Sequence, residues 1–213
     1  MRAVAGPNRA QNSSRKSLQN EIDRHSEALS RFAELALQGG LEAPVCTLVL
    51  RSAESVPAFA LASTRDTLAA AGIRARAVLT KANPEQQLHS FFGVLAALSP
   101  DTELGGLVRW ARHPRLMDAH EQAVYGPELC WTGDAMRRDA DKRNALALFE
   151  TGPDAIIRGS HAFKALWAAS EPLPDHLLDI PASADRPCAD SCAKDAPPST
   201  RTPPTEGWPL LRH

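Results

Sequence analysis

The sequence predicts an α/β domain, a mixed β-sheet flanked by helices, and three observations carry that expectation. The β-branched run VCTLVL at 45–50 precedes an Ala- and Leu-rich stretch ending at Gly72, then a second strand-like run, IRARAVLT at 73–80, and together they read as a βαβ unit. After Gly105–Gly106, short strand-like segments follow one another separated by Pro, Gly or Asp, the rhythm of an antiparallel sheet. A last amphipathic stretch, 153–169, brings Ile156, Ile157, Ala162, Phe163, Leu166 and Trp167 toward a core.

Residues 1–16 are expected as a disordered leader, because Gly, Pro, Asn and Ser fill the segment without apolar periodicity. From Ser17 onward Leu18, Ile22, His25, Leu29, Phe32 and Ala36 recur at spacings of four and three, one helical stripe that ends at Gly39–Gly40. Three heptads with a His at one core position are short for a coiled coil, so packing on the domain's own sheet is preferred over a dimerisation seam. The 54–71 stretch is the crossover helix of the βαβ unit, for which a right-handed connection is overwhelmingly favoured. A second helix starts near Pro84 and runs through Leu88, Phe91, Phe92, Leu95 and Leu98 until Pro100. LVRWAR, EQAVYG, ELCWTG and NALALFE are the strands of the antiparallel half. The single α/β domain is placed at 17–175. Residues 176–213 are a Pro-rich disordered tail with too few large apolar side chains to offset its ordering entropy.

The chain of 213 residues carries 24 Lys and Arg against 25 Asp and Glu, for a formal charge of -1, which removes the electrostatic footprint of a dedicated nucleic-acid binder. No apolar run approaches the roughly 20 residues that span a bilayer, and no signal-peptide core is visible, so no membrane role is expected and the compartment expected is the cytoplasm. No Gly-rich phosphate loop or dinucleotide fingerprint occurs, so no cofactor is expected. Of the four cysteines, Cys46 and Cys130 fall in strands, and Cys188 and Cys192 form a C-x3-C pair in the tail without the second pair that a closed zinc site needs; no metal is expected.

The residues that carry chemistry concentrate between Leu107 and Arg138 and just beyond. His120 opens a strand, where a nucleophilic and a hydrogen-bonded structural His are both admissible, and without a visible partner the structural reading comes first. His113 sits in a loop beside Pro114, and Asp118 and Glu121 are the carboxylates nearest the two His. WTGDAMRRD joins a strand end to a Gly turn and Asp134, which reads as a turn cap. Arg137 and Arg138, with Arg109, Arg112, Lys142 and Arg143, are candidate contacts for phosphate or nucleic acid, although Asp134, Asp139 and Asp141 interleave with the later ones. Trp110, Trp131 and Trp167 read as packing residues.

In element order and motif this layout resembles one half-domain of the phospholipase D superfamily over roughly residues 44–170. Members carry H-x-K-x4-D followed by a G-S-x-N type turn, in which the His attacks phosphorus and the Lys and Asn bind phosphate oxygens. Here His120 matches the His, Gly133 approaches the Gly of the turn with a one-residue offset, and Asn144 stands for the later Asn. The departures are at Gln122 for the Lys, Pro127 for the Asp, Asp134 in the turn and Met136 at its Asn. Phosphoryl transfer depends on positioned positive charge, so a neutral Gln and an added carboxylate argue against ordinary catalysis. The resemblance implies a non-enzymatic binding or regulatory domain with an unknown protein partner or phosphate-bearing ligand. It further implies a homodimer, because the family builds its site from two half-domains facing each other. The alternatives are a phosphodiesterase with His120 as nucleophile and Arg137 or Arg138 as the missing cation, and a nucleic-acid-binding protein.

Overall fold

A computed structural model of the protein describes residues 7–82, 86–136 and 146–178, the side chains of 7–15, 86 and 87 excepted. Helix α1 (Pro7–Leu37) leads into β1 (Val45–Leu50), and the crossover follows as α2 (Val56–Ser63) and α3 (Arg65–Ala70) before β2 (Arg74–Leu79). Then come α4 (Gln86–Leu98), β3 (Val108–Trp110), β4 (His120–Tyr125), β5 (Leu129–Ala135), β6 (Leu148–Thr151), α5 (Pro153–Ala169), β7 (Glu171–Pro172) and α6 (Asp175–Leu178). The seven strands form one sheet in the order β6-β5-β4-β1-β2-β3-β7. β1, β2 and β3 run parallel, while β4, β5, β6 and β7 join antiparallel. The fold is therefore a mixed α/β sheet flanked by helices.

Alternation along each strand divides the sheet's side chains between two faces. Cys46, Leu48 and Leu50 of β1 and Ala75, Ala77 and Leu79 of β2 join Leu29 and Phe32 of α1, Leu61, Leu68 and Phe92 in one continuous core beneath α1, α2, α3 and α4. On the opposite face Val49, Val78 and Met136 cluster against Phe163 of α5, with Trp167 of the same helix beside them. Helix α5 lies close to β4 and β5 because Gly159 has no side chain: a Cβ there would lie 2.5 Å from Gln122 Nε2 and 2.8 Å from Cys130 Sγ. Cys46 and Cys130 are buried free thiols, and burial raises the pKa of both.

Several elements differ from their sequence expectation. Helix α1 starts at Pro7, inside the segment expected as leader, since apolar periodicity marks only the part of a helix that packs and a polar extension leaves no stripe. The crossover helix divides at Thr64, whose hydroxyl turns back to the Ala60 carbonyl at 2.8 Å. LVRWAR was grouped with the antiparallel half, but β3 is parallel to β2, with α4 as its crossover. Gly133 and Asp134 make no turn; β5 runs on to Ala135, and the register slips between His120 and Gln122, a bulge that absorbs the extra residue. Ile157, assigned to the core, is 53% exposed, on the side of α5 away from Gly159 and Phe163. Helix α6 continues past 175 to Leu178, held by buried Leu177. Trp131 is buried, whereas Trp110 and Trp167 are half-buried. Cys188, Cys192 and the rest of the tail from 179 lie outside the described residues.

Candidate functional site

The parallel strands β1, β2 and β3 all end at the same edge of the sheet, where open α/β folds receive their ligands. β4 begins there and β5 ends there, because both pair antiparallel in this half of the sheet. His120, Asp134 and the β1–α2 loop 51–55 consequently share one edge although they are distant in sequence.

His120 is exposed, and its Nδ1 lies 2.7 Å from the carbonyl oxygen of Gly133. A carbonyl only accepts, so Nδ1 carries the proton and the lone pair of the neutral ring sits on Nε2. Both earlier readings of this His meet in one geometry. One nitrogen is structural, and the other has the form of a nucleophile, base or acceptor. Gln122, two residues on and on the same face, is turned under α5, with Nε2 3.4 Å from Cys130 Sγ and in the space left by Gly159. The position that the resemblance assigns to a phosphate-binding Lys is thus a packing position.

Arg51 is 3% exposed, and its guanidinium donates from Nη2 to the Ala135 carbonyl at 2.8 Å. Its backbone N–H donates to Glu121 Oε1 at 2.9 Å, and the same oxygen accepts from Ser55 Oγ, the residue preceding α2. A helix start behind a β-strand is a ready anion site. In this protein the Glu121 carboxylate stands at that place, accepting from Arg51 N and Ser55 Oγ. The Arg51 carbonyl accepts from Thr80 Oγ1 at 3.0 Å and Lys81 N at 2.7 Å, and Trp110 Nε1 donates to the Thr80 carbonyl at 3.1 Å. The ends of the three parallel strands are thereby tied into one polar seam. No motif in the sequence marks Arg51 or Ser55; topology is the signal that points to the 51–55 loop.

The other expected site residues divide. Asp134 is 4% exposed and its Oδ1 accepts from Leu146 N at 3.1 Å, a cap that joins the end of β5 to the approach to β6. Arg109 turns away from the edge: Nη1 donates to the Ser170 carbonyl at 3.1 Å and the guanidinium lies 5.2 Å from the Trp167 ring centroid, so it is committed to the α5 face. Arg112 is exposed, 5.4 Å from the Trp110 ring. Arg137, Arg138 and Asn144, with Lys142 and Arg143, lie outside the described residues. His113 caps the short helical turn 114–118 by accepting from Arg115 N, so it is a loop residue in the sense expected. Among the described residues no group of three or more His, Cys, Asp or Glu is placed to hold a metal, and no helix is long and apolar enough to cross a membrane.

A cavity of about 200 Å³ lies at the other end of β4, between α1 and the β4–β5 turn, lined by Arg24, Arg31, Phe32, Tyr125, Leu129 and Phe149 among others. Behind it, fully buried His25 places Nδ1 2.7 Å from the Tyr125 hydroxyl and packs against Trp131 and Phe149 with ring centroids 4.7 and 4.9 Å away. Burial, with the nearby Arg24 charge, holds the His25 pKa down to about 3.

No family model, curated protein or solved structure matches the chain.

Proposed function

We propose that the protein is a non-enzymatic binding or regulatory domain with the layout of a phospholipase D half-domain, receiving a phosphate-bearing ligand at the His120 edge. One observation carries the reading: His120 is held through Nδ1 on an exposed side chain, so its imidazolium form offers an Nε2–H donor to a phosphate oxygen, while its neighbour at the Lys position is spent on packing under α5. A phosphoryl-transfer site needs fixed cations around the developing charge. At this edge Arg51 is buried on the Ala135 carbonyl and Glu121 occupies the start of α2, so the groups nearest His120 serve the fold. Binding of an anion survives such losses better than turnover does, because turnover draws on interactions made only in the transition state. With Arg109 committed to Ser170, the nucleic-acid reading loses one of its cations.

The test is calorimetric titration of the full chain with bis(4-nitrophenyl) phosphate, run beside a 4-nitrophenol release assay. Binding weakened about tenfold by His120→Ala, a loss of about 1.4 kcal/mol, with no release above the blank, is the expected result. Hydrolysis that disappears in His120→Ala would move the protein to the phosphodiesterase alternative. Binding indifferent to His120 would remove this edge as the site.

A further inference from the structure

The two edges of the sheet are unlike. β7 has two residues, one of them Pro172, whose nitrogen has no hydrogen to donate, so that edge offers little to another strand. β6 at the opposite edge is hydrogen-bonded in the sheet to β5 alone, and among the described residues its outer side meets no further strand. It contains neither Pro nor Lys, the residues that commonly blunt an edge. Both of its faces carry apolar side chains: Leu148, 47% exposed, lies opposite Thr132 on the α5 face, and Phe149 lies opposite Trp131 on the α1 face. Leu146, just before the strand, is 36% exposed.

We propose that β6 is a self-association edge, at which two copies of the chain pair antiparallel about a two-fold axis perpendicular to the sheet and continue it from one copy into the other. Two points favour a second copy over another partner. An added strand must be apolar on both faces to cover Leu148 on one side and Phe149 on the other, and β6 itself meets that requirement. The charges are also self-complementary. The Arg24 guanidinium lies 4.2 Å from the Phe149 ring centroid, whereas Glu128 lines the same cavity as Thr151, two residues further along the strand. Pairing Phe149 of one copy with Thr151 of the other sets Arg24 of each beside Glu128 of the other, twice per dimer. Neither residue has an ion-pair partner among the described residues. In that register Glu150 lies on the axis on the opposite face, each copy held 3.1 Å from its own Arg158. With β6 the one open edge among the described residues, the contact is isologous and closes at two copies rather than growing into a filament.

This contact differs from the homodimer that the family resemblance implies. There the two His-bearing ends face each other; antiparallel β6 pairing sends the His120 edges to opposite ends. It goes beyond the phosphate-binding reading, and either survives the failure of the other.

Sedimentation equilibrium on the full chain across the micromolar range provides the test. The expected result is twice the chain mass at the upper end and a dimer that Arg24→Glu weakens by about tenfold or more, through the like charge it sets against Glu128 of the other copy. An equimolar mixture of Arg24→Glu and Glu128→Arg chains should dimerise again, and Glu171→Lys at the β7 edge should leave the dimer intact. Arg24 and Glu128 are exposed, so circular dichroism should show both variants folded. A wild-type chain that is monomeric at every concentration, or a dimer indifferent to Arg24→Glu, overturns the proposal.

Discussion

The two faces of the sheet are covered very differently. Four helices, α1 to α4, close one face over a continuous core, whereas among the described residues the other has α5 alone, drawn in at Gly159 and leaving Arg74 and Arg76 of β2 exposed beyond it. The thick face buries even polar groups, as His25 and Tyr125 show, and the thin face keeps His120 exposed at its margin. Cohesion and accessible chemistry are therefore divided between the faces of a single sheet, and substitutions on the two sides should differ in kind.

The largest expected difference is in core truncation. Phe92, with no exposed surface, should cost about 3–5 kcal/mol on replacement by Ala, whereas Phe163→Ala under α5 should cost about 2–3 kcal/mol because a thin layer relaxes into the gap. Urea unfolding of both variants measures this, and equal losses would break the contrast. Next in size is the acid response of the thick face. His25 stays neutral when folded down to about pH 3, while the unfolded chain takes up that proton near pH 6.5. Between those values the unfolded state binds more protons, so stability falls as pH falls, by about 1.4 kcal/mol per pH unit from this group at most. His25→Gln keeps a hydrogen-bonding partner for Tyr125 and should flatten the fall in unfolding free energy between pH 6 and 4; an unchanged slope would mean that the acid limb comes from other groups. The smallest difference is between two arginines of one loop-and-strand segment. Arg109→Ala loses the Ser170 bond and the Trp167 contact, about 1–2 kcal/mol, whereas exposed Arg112→Ala should stay within about 0.5 kcal/mol. Thermal unfolding of the pair distinguishes them.

Much of the thick face was legible in the sequence because its signals are local. VCTLVL and RARAVL are bounded by turn residues, and the Leu18-to-Ala36 stripe reports the face on which α1 packs. In β2 exposed Arg74 and Arg76 alternate with buried Ala75 and Ala77, as on a strand one face of which is covered only in part. The thin face and the edge were less legible for a physical reason. Glu121 meets Arg51 and Ser55 across 70 and 66 positions, and no spacing rule reaches that far. Gly133 looked like a turn residue because turns and bulges use the same amino acids, and only strand pairing tells them apart. Arg109 looked like a ligand contact because its side chain and that of Arg112 are chemically identical; which one lies under α5 depends on strand parity and on the parallel placement of β3.

The bond between His25 and Tyr125 has a spectroscopic consequence. Tyr125 is the chain's single tyrosine, and its partner lies 100 positions away, on a helix that precedes the whole sheet. Contacts this distant in sequence pay the greatest loop-closure entropy and set the tempo of folding. The phenol ring vibrations of one residue therefore time the moment at which α1 closes on the sheet, without a label and without competing signal from any other phenol.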